Sequence, residues 1–143
     1  MITGSTPTTV THVADVKFAI KIRSHEIVVD QTFAGGGNDS GPTPLELLGA
    51  ALGSCIAYYI HQFLHTRGLE ADGLRVSVSQ TRAQNPSRID SFSVDVELPE
   101  NIPEKYLPLL ERVIESCPAH NTLALGADIG VKFKTPTMAG TTD

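Results

Sequence analysis

From Leu45 to Ile60 nearly every position is apolar or small, and Glu46 is the only charged residue. The residues just before this run mark a helix start. Thr43 suits the N-cap, Pro44 the first helical position, and Glu46 completes a capping box. The pattern predicts a helix to about Arg67, stopped by Gly68. Its 24 residues would span roughly 36 Å, the breadth of a small domain. A helix that is hydrophobic all round is buried all round. This one would lie at the centre of the molecule, and one small sheet and two short helices cannot cover it, which predicts an obligate dimer. Interrupted by Glu46, Gly49 and Gly53 and followed by His61, the apolar run is short for a membrane span.

The remaining elements are read around that helix. Residues 16–22 and 26–29 are β-branched runs separated by Arg23-Ser24-His25, a hairpin. Residues 34–41 (AGGGNDSG) form a flexible loop without the Gly-Lys-Ser/Thr ending of a nucleotide-phosphate loop. Leu74, Val76 and Val78 alternate with polar residues, as do Phe92, Val94, Val96 and Leu98. With the turn Gln84-Asn85-Pro86-Ser87, they predict a half-buried antiparallel hairpin. Pro103 opens a helix with Tyr106, Leu109, Leu110, Val113, Ile114 and Cys117 on its apolar face, and Pro118 ends it. A short helix from Pro118 to about Leu125 and a last strand over 131–134 complete the order. This is an α+β arrangement within one domain spanning 1–143, with 1–15 and 136–143 as flexible tails.

The 143 residues (15.3 kDa) are enough for one real core. A net charge of −5 with scattered Lys and Arg excludes the basic stripe that sequence-independent nucleic-acid binding needs. The N-terminus has neither the basic nor the apolar region of a secretory signal, so the expected location is cytoplasmic, with no membrane partner.

Two cysteines, Cys55 and Cys117, lie 62 positions apart. A structural disulfide is a poor use for them in a reducing compartment, and two thiols alone cannot make a zinc site. Redox chemistry or inert burial remains. Cys55, in mid-helix, reads either as a small core residue or as a thiol activated by a group brought to it. Cys117 ends one helix and caps the next, where the N–H groups of residues 119–121 would favour its thiolate; it could equally just fill the apolar stripe. His61 and His65 share a helix face at metal-binding spacing but read as solvated residues, since no third ligand is in register. His120 could hydrogen-bond Cys117 or cap its turn.

Pro42-Thr-Pro-Leu-Glu-Leu-Leu-Gly-Ala-Ala-Leu-Gly-Ser-Cys55 with Arg67-Gly68, and Cys117-Pro-Ala-His-Asn-Thr-Leu123, together resemble the two cysteine motifs of the OsmC/Ohr family. The resemblance covers roughly residues 16–134. It implies an OsmC-like fold, with an antiparallel sheet around a buried central helix in an intertwined homodimer. It also implies a cysteine-based peroxidase, peroxidatic at Cys55 and resolving at Cys117, that reduces organic hydroperoxides and more weakly hydrogen peroxide in oxidative or osmotic stress defence. Electrons would come from a small dithiol or a lipoylated protein, with neither metal nor flavin as cofactor. The family's activating arginine would correspond to Arg23. Its helix-start glutamate is replaced by Leu45, with Glu46 one residue later and turned by about 100°. Glu46 is therefore the capping-box acid first and a catalytic residue second. Gly49, Gly53 and Ala57 predict a close approach by a second helix, either the one at 106–117 or the partner's central helix. The alternative functions are a non-peroxidase binding or sensor protein of the same fold for small apolar electrophiles, and a structural or metal-storage protein.

Overall fold

A computed structural model of the protein describes residues 7–136. Its elements are β1 (Thr8–Ala14), β2 (Lys17–Ile22), β3 (His25–Val29), α1 (Pro44–His65), β4 (Arg75–Ala83), β5 (Arg88–Glu97), α2 (Leu107–Ile114) and α3 (Pro118–Leu125). The strands form two antiparallel sheets, β1-β2-β3 and β4-β5. The α+β architecture agrees with the sequence reading.

The helix start follows its sequence signals. Thr43 Oγ1 accepts from the Glu46 N–H at 3.3 Å, and Glu46 Oε1 accepts from the Thr43 N–H at 3.2 Å. Two of the helix's orphan donors are thus paired reciprocally. At the other end the N–H of Gly68 reaches the His65 carbonyl and that of Leu69 the Leu64 carbonyl, both at 3.0 Å. Gly68 takes φ 66°, so the helix closes in a Schellman motif at the expected glycine. Arg67 locks this end. Its guanidinium lies 3.6 Å from the Phe63 ring centroid and 5.5 Å from that of Tyr106, and its Nη1 donates to the Phe63 carbonyl at 3.1 Å.

One face of α1 is the core. Leu52, Ile56, Ile60, Phe63 and Leu64 are buried with Leu110 and Cys117, against the inward residues of β4 and β5 such as Val76, Val78, Val94 and Val96. A fully buried aliphatic side chain of this kind contributes about 1.5–3 kcal/mol. Burial on all sides does not hold within one chain. Leu48, Ala51 and Tyr58 are exposed, Tyr58 at 56%. By length and composition alone α1 could cross a bilayer; here its inner face packs on β4, α2 and α3.

Other expectations need correction. Within the chain it is strand β4, not the helix at 107–114, that approaches Gly49 and Gly53. A Cβ on Gly53 would lie 3.0 Å from Val78 Cγ2, and one on Gly49 3.1 Å from Gln80 Oε1. The N-terminal segment read as a tail contains β1, paired with β2 through Val10↔Ile20, so the expected hairpin is a three-stranded meander. Threonine and valine, which populate β1, are strand formers whatever the polarity of the segment. The helix expected over 106–117 is regular only over Leu107–Ile114, preceded by a 3-10 turn at Glu104–Tyr106. Residues 131–134 form no strand, because none of the described residues pairs with them; Ile129, Val131 and Phe133 are 70–94% exposed. The expectation for the tail from 137 onward, and for residues 1–6, lies outside the described residues.

Candidate active site: a thiol pair between α1 and α3

Cys55 occupies the middle of α1, half-buried, and Cys117 stands at the N-cap of α3, fully buried. The fold brings them together across 62 positions: Cys55 packs against the buried cluster that contains Cys117, near enough to influence its ionisation. Both are free thiols. Pro118 at the first position of α3 and the preceding turn (Cys117 N–H to the Ile114 carbonyl, 3.0 Å) aim the Cys117 sulfur back toward its own helix, where it accepts from the His120 N–H at 3.5 Å.

The electrostatics correct the sequence reading of Cys117. Burial pushes its thiol above the ordinary value, and the hydrogen bond with Cys55 and the charge there push the same way. The backbone N–H groups of His120 and Ala119 act against this and lose. The capping geometry is as expected; the ready thiolate is not. Desolvation outweighs two weak N–H···S contacts.

A cavity of about 550 Å³ lies between α1, β5, α2 and α3, lined by Leu52, Ile56, Phe92, Ile114, Leu123 and His120, with Asp90 and Ser91 at its border. Leu52 and Ile56 flank Cys55 in sequence; Ile114 and His120 flank Cys117. The His120 Nδ1 lies 3.1 Å from Asn121 Oδ1, and Asn121 Nδ2 donates to the Glu115 carbonyl at 2.9 Å. Asn121 escaped the sequence reading, although it stands next to His120 in the second cysteine motif.

The other candidates lie apart from the thiols. Glu46 is exposed and engaged in the capping box, nine residues and thus about 13 Å along the axis from Cys55. Arg23 sits in the β2–β3 turn with φ 54° and has no hydrogen bond or ion pair among the described residues. The sheet that carries it makes no extensive packing with the helices of its own chain. His61 and His65 stack at 5.9 Å on the exposed face of α1, and no third metal-ligating side chain joins them among the described residues.

Sequence reading also missed Asp30, a buried carboxylate at the end of β3 that gathers the glycine-rich loop around itself. Its Oδ2 accepts from the Ser40 hydroxyl (2.6 Å), the Ser40 N–H (3.1 Å) and the Asn38 N–H (3.2 Å), and Oδ1 accepts from the Gln31 N–H (2.8 Å). These donors, the Ser40 hydroxyl first, lower its pKa from 3.8 to about 2. An aspartate five residues before a glycine run carried no sequence signal distinguishing it from a solvated one.

The family model described as OsmC-like protein matches residues 36–132. No curated protein matches. Among solved structures, one from Psychrobacter arcticus, described as an osmotic stress induced and detoxification response protein, is 20% identical with a TM-score of 0.77, covering 85% of this chain and 90% of its own. An OsmC-like protein from Mycoplasma pneumoniae is 19% identical with a TM-score of 0.74, covering 86% and 89%. An organic hydroperoxide resistance protein from Vibrio cholerae, with captopril bound in one of its active sites, is 14% identical with a TM-score of 0.65, covering 85% and 87%. The family match spans well over half of the sequence, and the fold agrees along most of it: the chain belongs to the OsmC family.

Proposed function

We propose that the protein is a thiol-dependent peroxidase that reduces organic hydroperoxides. The observation that carries this reading is the packing of Cys55 against the core cluster that holds the buried thiol of Cys117, two cysteines far apart in sequence brought to one place between α1 and α3. Solved relatives named as organic hydroperoxide resistance proteins support it. The Cys55 thiolate attacks the distal oxygen of ROOH; the O–O bond breaks, Cys55 becomes a sulfenic acid, and the leaving alkoxide takes a proton to give ROH. The Cys117 thiol then attacks the Cys55 sulfur, forming the disulfide and releasing water. An external dithiol or lipoylated protein restores both thiols. The first step prepares the second. A neutral sulfenic acid removes the Cys55 charge that opposes ionisation of Cys117, while the His120 and Ala119 N–H groups remain.

The working form in this reading is a cytoplasmic homodimer. The exposed outer face of α1, the uncovered β1-β2-β3 sheet and the exposed Ile129, Val131 and Phe133 are surfaces a second copy would bury. The dimer would also supply a neighbour for Arg23. Light scattering should report twice 15.3 kDa; a monodisperse monomer at low micromolar concentration removes the shared site. For the chemistry, one equivalent of cumene hydroperoxide should consume both thiols and yield a Cys55–Cys117 disulfide by mass spectrometry. Cys55→Ser should abolish turnover. Retained turnover in that variant sinks the peroxidase assignment.

A further inference from the structure

The cavity between α1, β5, α2 and α3 has one polar group whose proton can be placed by deduction. The Glu115 carbonyl can only accept, so the amide nitrogen of Asn121 must face it, as found at 2.9 Å. That fixes Asn121 Oδ1 as the atom opposite His120 Nδ1 at 3.1 Å, and an amide oxygen can only accept. The neutral imidazole therefore carries its proton on Nδ1, which leaves Nε2 as a bare acceptor on the opposite side of the ring. Nε2 has no hydrogen-bond partner among the described residues, and His120 is half-buried in the cavity wall. The surrounding side chains, Leu52, Ile56, Phe92, Ile114 and Leu123, offer only hydrocarbon. Asp90 and Ser91 also border the cavity, but both are exposed to solvent.

We infer that His120 is the specificity-determining residue of a small-molecule site in this cavity, selecting apolar ligands that present one O–H donor to Nε2. The site rests on the peroxidase reading only for the identity of its natural ligand, an apolar hydroperoxide. The binding preference itself is independent of turnover. In a pocket walled largely by hydrocarbon, a free ring acceptor discriminates among ligands, since one without the donor leaves it desolvated and unpaired. Asn121 acts as a positioning residue, because it holds the tautomer that makes Nε2 an acceptor.

The test compares 2-phenyl-2-propanol, which is cumene hydroperoxide less one oxygen and unreactive with thiols, with isopropylbenzene, which has the same apolar body and no O–H. Binding to the reduced full-length protein is followed by NMR titration. Wild type should bind the alcohol more tightly than the hydrocarbon, with shifts at Leu52, Ile56 and His120. His120→Leu should weaken the alcohol about tenfold and leave the hydrocarbon unchanged. His120→Gln, whose amide oxygen can stand near the position of Nε2, should restore most of the preference. Equal binding of the two probes by wild type, a parallel loss of both in His120→Leu, or no binding of either probe overturns the site. Turnover of cumene hydroperoxide is measured alongside. Selective alcohol binding without turnover would leave the site standing and remove the peroxidase; turnover with no selectivity would do the reverse.

Discussion

Replacing Cys117 separates its structural role from its chemical one, because serine and alanine differ in the one property the cap uses. Cys117 is fully buried and accepts from the His120 N–H at 3.5 Å, a long contact to a weak acceptor. Serine is among the best N-cap residues, and its shorter acceptor bond would gain back part of what burying a hydroxyl costs. Alanine leaves the His120 N–H unpaired and opens a small gap. An N-cap serine exceeds alanine by about 1 kcal/mol, and a buried hydroxyl that keeps a hydrogen bond escapes most of the roughly 1–3 kcal/mol charged to an unpaired one. Cys117→Ser should thus lie within about 1 kcal/mol of wild type, with Cys117→Ala about 1 kcal/mol below it. Urea denaturation under reducing conditions measures both, read as a shift in midpoint at constant slope. With one equivalent of cumene hydroperoxide, the folded Cys117→Ser protein should react once and stop, holding a Cys55 sulfenic acid that dimedone traps. An unmodified Cys55 would refute the assignment of the two thiols. Serine and alanine variants of equal stability would refute the capping argument.

Three further outcomes follow from the geometry. Gly53→Ala should destabilise by about 1 kcal/mol despite the helix-propensity gain, because its Cβ meets the stiff Val78 side chain at 3.0 Å; a more stable variant in urea denaturation would mean that β4 does not approach so closely. Asp30 has a folded pKa of about 2 against an ordinary 3.8, so its contribution is present above about pH 4 and lost as the pH falls through 2. Asp30→Asn, which must turn an NH2 group toward N–H donors, should loosen residues 31–41 already at pH 7, seen as faster amide exchange there than in wild type. Glu46→Gln should keep both the melting temperature and the peroxide rate near wild type, since glutamine also completes a capping box; a large fall in rate at unchanged melting temperature would make Glu46 catalytic.

What the sequence disclosed and what it hid divide along the range of the interactions. The start of α1 was legible because Thr43, Pro44 and Glu46 satisfy one another within a single turn. The β4–β5 pair was legible because alternation and the turn at 84–87 are local. The contact between the thiols became an expectation only through family resemblance, since 62 intervening residues carry no geometric signal of their own. The protonated state of Cys117 was misread because the helix-end effect is visible in sequence, whereas the desolvation that outweighs it belongs to tertiary packing. Residues 131–134 have a strand's alternation, but a strand needs a neighbour, and none of the described strands supplies one. Asn121 and Asp30 act through bonds whose partners are set by the folded loop and turn rather than by residue type.

The position of the thiols also bears on the chain's mechanical integrity. Between Cys55 and Cys117 run the end of α1, the whole β4–β5 hairpin and α2. A bond joining the two sulfurs would tie that entire segment into a ring, and a ring of this length removes about 4 kcal/mol of conformational freedom from the unfolded chain. Each round of oxidation would leave the molecule harder to unfold, and each reduction would release the constraint. A population held oxidised should accordingly resist proteolysis through β4–β5 better than a reduced one, so the redox state of the site would be readable as the lifetime of the chain.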